Sequence, residues 1–376
     1  MKSAANASMK TNETGEFIPL RPSWLRRFAI AVVLGIFALT SSAGVAIIFA
    51  RSYLRRDYVP GHAPRGYERR EELYAAYFLG ALKLIERQPA VPSEIRYEPG
   101  VTYARASGQE LKLDLYFPPG HTSQDHRPLL VLIHGGGWKS GQREDYRPYA
   151  IKVAKAGYVV ASISYRLSGV AKFPAQIRDV NAALQFLSDR SGEYGIDPER
   201  FVVMGGSAGG HLAMLAGYAR DEADYRPEAD ADLKLIAYDE KDGERKPYVI
   251  AAVFNFYGPS DLTTHFARSQ AVVPELIGGP YEEKQAVYRS ASPMFRISSD
   301  DPPSLVVHGT LDDIVPVEQS DKLAEGLHWV RVPVRYERIF GWPHTMDLAE
   351  PVFGYLSDVV LEEMRKYVGD GNSSRQ

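Results

Sequence analysis

There is no cysteine in the 376 residues. That removes disulfides, thiolate-held zinc, iron–sulfur clusters and a cysteine nucleophile. Nor is charge of one sign in excess: 44 Lys and Arg stand against 47 Asp and Glu, a net of −3. A chain so near neutrality lacks the basic face that bulk nucleic-acid binding requires, and no nucleic-acid partner is expected. No HExxH pattern and no carboxylate cluster appears, so no metal and no cofactor is expected. Long apolar runs are scarce, with one exception. Residues 28–50 are 23 positions without a charge, bounded by Arg26, Arg27 and Arg51. As a helix they reach about 34 Å, against a hydrocarbon core of roughly 30 Å. The reading taken is an uncleaved single-pass transmembrane anchor. The alternative is a secretory signal cut near 41–43, which would release the rest. Basic residues flank both ends, and the positive-inside rule, which needs an asymmetry, assigns no side.

The remainder has ordinary globular composition, 45% hydrophobic and 24% charged. Residues 1–27 are polar and aperiodic and read as a disordered tail. Residues 51–92 read as a juxtamembrane helical linker, with a helix over 68–87 ended by Pro89 and Pro92. From 93 to 368 the pattern alternates. Strands are expected over 101–106, 110–117, 128–134, 158–163, 201–204, 248–256, 305–308 and 334–340, and helices over 149–156, 174–188 and 208–218. Repeated β-then-α order makes an α/β domain with a mostly parallel sheet flanked by helices. Residues 220–246 are charged and aperiodic and read as a solvated insertion, with a lid as the sharper reading. Residues 369–376 read as a tail.

Two glycine motifs carry the chemistry. Gly205-Gly206-Ser207-Ala208-Gly209 stands between the strand FVVM and the helix HLAMLAGY. There a G-x-S-x-G stretch is a sharp strand-to-helix turn that strains a serine and bares its hydroxyl above a helix N-terminus. His134-Gly135-Gly136-Gly137-Trp138 follows the apolar strand PLLVLIH. Three glycines let the backbone curl so that N–H groups face a ligand, and with the Ala208 N–H they would form an oxyanion hole. A serine nucleophile needs a base, and the base an orienting acid. Of nine histidines, His62, His121 and His126 precede the elbow in linkers or loops, His265 and His328 have no strand end before them, His134 is committed to the glycine turn, His211 to the helix, and His308 to a buried strand end. His344, in the loop leaving the last strand, remains as the base. For the acid, Asp312 and Asp313 both leave the strand 305–308; Asp312 comes first out of the turn and is taken.

Here a resemblance becomes specific. Residues 94 to 367 resemble the α/β-hydrolase superfamily, its H-G-G-G esterase/lipase group, and within that the branch named after bifunctional acetylxylan and feruloyl esterases. The stretches that carry it are LKLDLYFP (111–118), HGGGW (134–138), SYRL (164–167), FPAQIRDVNAALQFL (173–187), YGIDPERFVVMGGSAGGHLA (194–213), SPMF (292–295) and HGTLDDIVP (308–316). The resemblance implies Ser207 as nucleophile, Asp312 as acid and His344 as base, with oxyanion N–H groups from Gly136, Gly137 and Ala208. It places Arg166 and Asp179 in a structural ion pair outside the site. Two positions depart from the pattern. Relatives usually carry a polar or charged residue where Gly206 stands, and glycine-histidine-glycine where this chain has Pro343-His344-Thr345 after Trp342.

The expectation is therefore a membrane-anchored serine hydrolase acting on a small-molecule, glycan or lipid ester through an acyl-enzyme. Arylformamidases and prenylcysteine methylesterases share the HGGGW turn, and an acyltransferase would use the same triad. A non-enzymatic scaffold role belongs to hydrolase folds whose triad is lost, whereas here all three positions are filled.

Overall fold

The computed structural model describes residues 44–236 and 245–371, with the short strands β1 (Lys10–Thr11) and β2 (Phe17–Ile18) ahead of them. The chain divides into two compact units, residues 1–55 with 75–81, and residues 56–74 with 82–376. In the first, β1 and β2 pair antiparallel inside the stretch read as a disordered tail, and residues 44–54 form helix α1. Most of the expected membrane span, residues 28–43, lies outside the described residues. Among the described residues no helix is long and apolar enough to cross a membrane.

The second unit is built on a nine-stranded sheet. In chain order its strands are β3 (Arg96–Ala106), β4 (Gln109–Phe117), β5 (Arg127–Ile133), β6 (Val159–Ile163), β7 (Ile196–Gly206), β8 (Lys234–Leu235), β9 (Ile250–Phe256), β10 (Ser304–Gly309) and β11 (Val334–Ile339). They lie side by side as β11-β10-β9-β7-β5-β6-β4-β3-β8. The six from β11 to β6 are mutually parallel; β4, β3 and β8 continue antiparallel. The mostly parallel sheet expected from the sequence is what forms. The middle stretches of its central strands are mostly apolar and buried because both faces are covered. In β5, Leu129, Val131 and Ile133 join the core that includes α4 (Ala175–Asp189) and α6 (Ala208–Tyr218). Leu130 and Leu132 are equally buried and point the other way. Helices α3 (Arg147–Lys155) and α11 (Glu350–Val368) pack together against the same sheet.

Three expectations change. The helix placed over 68–87 is confined to α2 (Arg70–Phe78). It stops at Gly80, whose φ is +66°, where the N–H groups of Ala81 and Gly80 donate to the carbonyls of Ala76 and Tyr77. That is a left-handed glycine stop, closed well before either proline. Residues 82–87 are not helical: Leu84 bridges Ala349, and the Ile85 N–H donates to the Leu348 carbonyl. Next, the described part of the charged insertion is tied down at the far sheet edge. There β8 pairs with β3, and Asp230 accepts from the buried Arg166, which is also bidentate to buried Asp179. None of its described residues lines the cavity treated below. Finally, the tail read over 369–376 begins packed: the carbonyls of Gly369 and Gly371 accept from Tyr158 and Arg127.

Candidate active site

Five adjacent parallel strands, β5, β7, β9, β10 and β11, deliver their carboxyl ends to one place. In open α/β sheets that is where ligands bind. A cavity of about 730 Å³ opens there, lined among others by Gly136, Gly137, Ser207, Ala208, Tyr257 and His344.

Ser207 sits between β7 and α6 with φ 55° and ψ −123°, a backbone few non-glycine residues adopt. The glycines around it are sterically required. A Cβ on Gly209 would stand 2.0 Å from the Ile133 carbonyl oxygen, and one on Gly205 2.3 Å from the Gly209 carbonyl carbon. The glycine turn after β5 closes directly over this elbow, since a Cβ on Gly135 would meet the Gly206 oxygen at 2.8 Å. Gly136 and Gly137 take φ of +100° and +60°, and their N–H groups have no acceptor among the described residues. Ala208 opens α6, where a helix's first N–H groups also lack intrahelical partners. Trp138, Ser207, Tyr257 and Thr345 all have positive φ and all line the cavity. Backbone strain collects where a site is built.

Asp312 is buried behind His344. One carboxylate oxygen accepts from the N–H groups of Ile314 (2.9 Å) and Val315 (2.8 Å). The other receives His344 Nδ1 at 2.6 Å and lies 3.2 Å from His308 Nε2. Burial alone would raise this carboxyl, but the hydrogen bonds from His308 and His344 outweigh it and hold it down at about 2. His308 is a satisfied core histidine, as expected: Nε2 donates to the Val315 carbonyl and Nδ1 meets Ser320 Oγ. Its contact with the acid is new. Asp313 turns outward to Arg70, 3.1 Å away. His134 stacks on Tyr165, and His211 is enclosed between Trp138 and the Ala291 carbonyl. The structure therefore brings Ser207, His344, Gly136, Gly137 and Ala208 around one cavity, with Asp312 immediately behind.

Gly206 and the Trp342 that opens the histidine loop each have a physical account. Trp342, fully buried, donates its indole N–H to the Pro64 carbonyl and meets Tyr67 edge-on. The N–H groups of Gly66 and Tyr67 donate to Phe340 and Gly341. The chain ahead of the family-like region is thus fastened to the histidine loop. Gly206 is small because a Cβ there would stand 2.0 Å from the Tyr146 hydroxyl and 2.9 Å from that of Tyr257. Sequence reasoning did not single out Tyr146, Tyr149, Tyr257 or Asp347, nor Ile85 and Arg87, which also line the cavity. For Tyr257 a signal existed: it is the first residue past a buried parallel strand.

The sequence matches the BD-FAE family over residues 113–327. It is 28% identical to esterase LipQ of Mycobacterium tuberculosis, over 75% of this chain and 63% of that protein. It is 32% identical to the probable carboxylic ester hydrolase LipM of the same organism, over 64% and 54%. The chain thus spans between half and two thirds of the length of these relatives. Among solved structures, the bifunctional GH43-CE of Bacteroides eggerthii aligns with a TM-score of 0.60 at 26% identity, over 73% of this chain and 38% of that one. Esterase 2 of Thermogutta terrifontis aligns with a TM-score of 0.61 at 23% identity, over 77% and 100%.

Proposed function

The chain belongs to the BD-FAE family and has the α/β-hydrolase fold, and from that premise we propose that it hydrolyses carboxylic esters with Ser207 as nucleophile, His344 as base and Asp312 as acid. Ser207 Oγ attacks the ester carbonyl while His344 takes its proton. The developing oxyanion is held by the N–H groups of Gly136, Gly137 and Ala208, each worth about 2.7–4 kcal/mol in the transition state. Collapse expels the alcohol, which receives the proton from His344, and leaves an acyl-serine. Water, deprotonated by His344, then releases the acid. Asp312 holds the imidazole in one tautomer, with Nδ1 donating, and stabilises the imidazolium as it forms.

The observation that carries this reading is the 2.6 Å Asp312–His344 hydrogen bond beside a strained serine in the same cavity. Two mycobacterial relatives carry esterase or carboxylic ester hydrolase names, which supports the choice of ester over other acyl compounds. The test is labelling by a fluorophosphonate probe, followed by turnover on p-nitrophenyl esters graded by acyl length. Ser207→Ala should abolish labelling and lower kcat about 10⁴-fold or more while the protein stays folded. Labelling that survives the substitution refutes the assignment.

Residues 28–50 act as a single-pass anchor in the same proposal. Its support is the charge-free run itself and the helix over 44–54, which takes in the last seven residues of that run. Full-length protein should stay in the membrane pellet after alkaline carbonate washing; release into the supernatant contradicts an anchor.

A further inference from the structure

The histidine loop is held by the chain ahead of the family-like region, and on both sides of His344. Before the histidine, the N–H groups of Gly66 and Tyr67 donate to the carbonyls of Phe340 (2.8 Å) and Gly341 (2.9 Å), and the Trp342 indole N–H donates to the Pro64 carbonyl at 2.7 Å. After it, the Ile85 N–H donates to the Leu348 carbonyl and the Glu350 N–H to that of Lys83, both at 2.9 Å. Neither these two stretches nor the loop falls within residues 113–327, which match the family. The fit is close enough to restrict the sequence. Gly66 has no left-handed φ that would call for glycine, yet a Cβ on it would stand 2.1 Å from the Gly341 carbonyl oxygen. The contact itself demands the glycine. Pro64, Gly66, Tyr67 and Trp342 are all buried, so water does not compete for these bonds.

These contacts bear on the catalytic geometry because the residues they hold also seat the acid turn. The Trp342 carbonyl accepts from the Leu311 N–H, and the Gly341 N–H donates to Thr310 Oγ1, each at 2.9 Å. The 2.6 Å between Asp312 Oδ2 and His344 Nδ1 is set across this junction. Thr345, directly after His344, holds φ at 56°, a left-handed backbone that a non-glycine residue keeps only when its surroundings impose it. The bonds at 348 and 350 fix the chain just beyond it. We propose that residues 64–67 and 83–85 form a clamp that positions the catalytic base. Gripped before and after the histidine, the loop holds the imidazole where it can take the Ser207 proton and pass it to the leaving alcohol. Gly66, Tyr67 and Trp342 do not line the cavity; they act through His344, as positioning residues. The clamp rests on the ester-hydrolase reading above and adds to it the way the base is held.

A misplaced imidazole has a signature that a mere loss of folded protein lacks. p-Nitrophenolate leaves an ester unprotonated, whereas ethoxide must take a proton from His344 as it leaves. The experiment compares kcat/KM, which reports acylation, for p-nitrophenyl butyrate and ethyl butyrate with the full-length protein. Values are expressed per active site titrated with a fluorophosphonate, so that inactive protein does not count. In Gly66→Ala, ethyl butyrate should lose about 100-fold, the effect of roughly an ångström of misplacement, and the p-nitrophenyl ester at most about tenfold. Trp342→Phe keeps an aromatic ring and removes the bond to Pro64, and it should shift the same ratio by about threefold or more. Equal losses on the two esters, or no loss, in a folded Gly66→Ala overturn the clamp. If Gly66→Ala does not fold, Trp342→Phe decides, and an unchanged ratio there overturns the clamp as well. Either result in a wild type that labels at Ser207 leaves the esterase reading standing. Absence of labelling in the wild type overturns that reading, and the clamp with it.

Discussion

Replacing Asp312 and Asp313 separately by asparagine tests the arrangement behind His344 with minimal change of shape. At 312 the amide oxygen can still accept from the Ile314 and Val315 N–H groups, which hold that side of the loop. The amide nitrogen must then take the position that now receives His344 Nδ1 at 2.6 Å and faces His308 Nε2 at 3.2 Å. An NH₂ there forces His344 Nδ1 to accept, which moves its proton to the nitrogen that should deprotonate Ser207. The loss should be about 10⁴-fold in kcat. There is a thermodynamic effect as well. The Asp312 carboxyl is lowered from 3.8 to about 2 in the folded protein, worth about 2 kcal/mol of stability. Because the folded-state value is depressed, that contribution is fully present above about pH 4 and disappears as pH falls through about 2. Asp312→Asn should therefore lower the unfolding free energy by about 2 kcal/mol at neutral pH, with the difference shrinking in acid. Asp313 pairs with Arg70 where both side chains are more than 40% exposed, so Asp313→Asn should cost under ~1 kcal/mol and change kcat little. The assays are kcat against pH and urea unfolding at several pH values for all three proteins. A loss under tenfold in Asp312→Asn, or an equal loss in Asp313→Asn, refutes the geometry described.

Three further outcomes follow from other parts of the molecule. Gly209→Ala should yield little folded protein, because its Cβ would lie 2.0 Å from the Ile133 backbone oxygen; a soluble variant with wild-type Tm would contradict the packing. Arg166→Ala leaves the buried Asp179 carboxyl, which burial already pushes up to about 6, without its bidentate partner, so urea unfolding at neutral pH should report a loss of about 3–5 kcal/mol, and a loss below ~1 kcal/mol would show the pair to be dispensable. A chain starting at residue 93 lacks Ile85 and Arg87 from the cavity wall and the backbone bonds that Lys83 and Ile85 make to Glu350 and Leu348. Its KM should rise severalfold against the full-length protein assayed in the same detergent, while equal KM values would place the cavity entirely within the family-like region.

What the sequence determined by itself is what short-range physics can encode. Pro128 to His134 reads as a doubly buried strand because the run PLLVLI within it is wholly apolar, and β5 (Arg127–Ile133) is that strand. The elbow and the glycine turn are legible because their glycines answer clashes within a few residues, or with the one neighbouring strand that the motif always meets. His344 emerged as the histidine just past a terminal strand. What only the tertiary structure decided are pairings between residues far apart in the chain. Asp312 and Asp313 are adjacent and alike; what separates them is that one meets His344 and the other Arg70, some 240 positions earlier. Tyr146, Tyr149, Tyr257 and Asp347 carry no motif, since Tyr257 joins Tyr146 and Asp347 only because β9 lies beside β7 and β10 in the sheet. The helix over 68–87 was misjudged for a related reason. Its periodic apolar residues continue past Gly80, but a left-handed glycine ends the helix and lets Ile85 and Arg87 line a cavity whose other walls lie about 50 to 260 residues downstream. Side-chain period records which face is apolar; which surface that face meets is settled by the order in which the strands assemble.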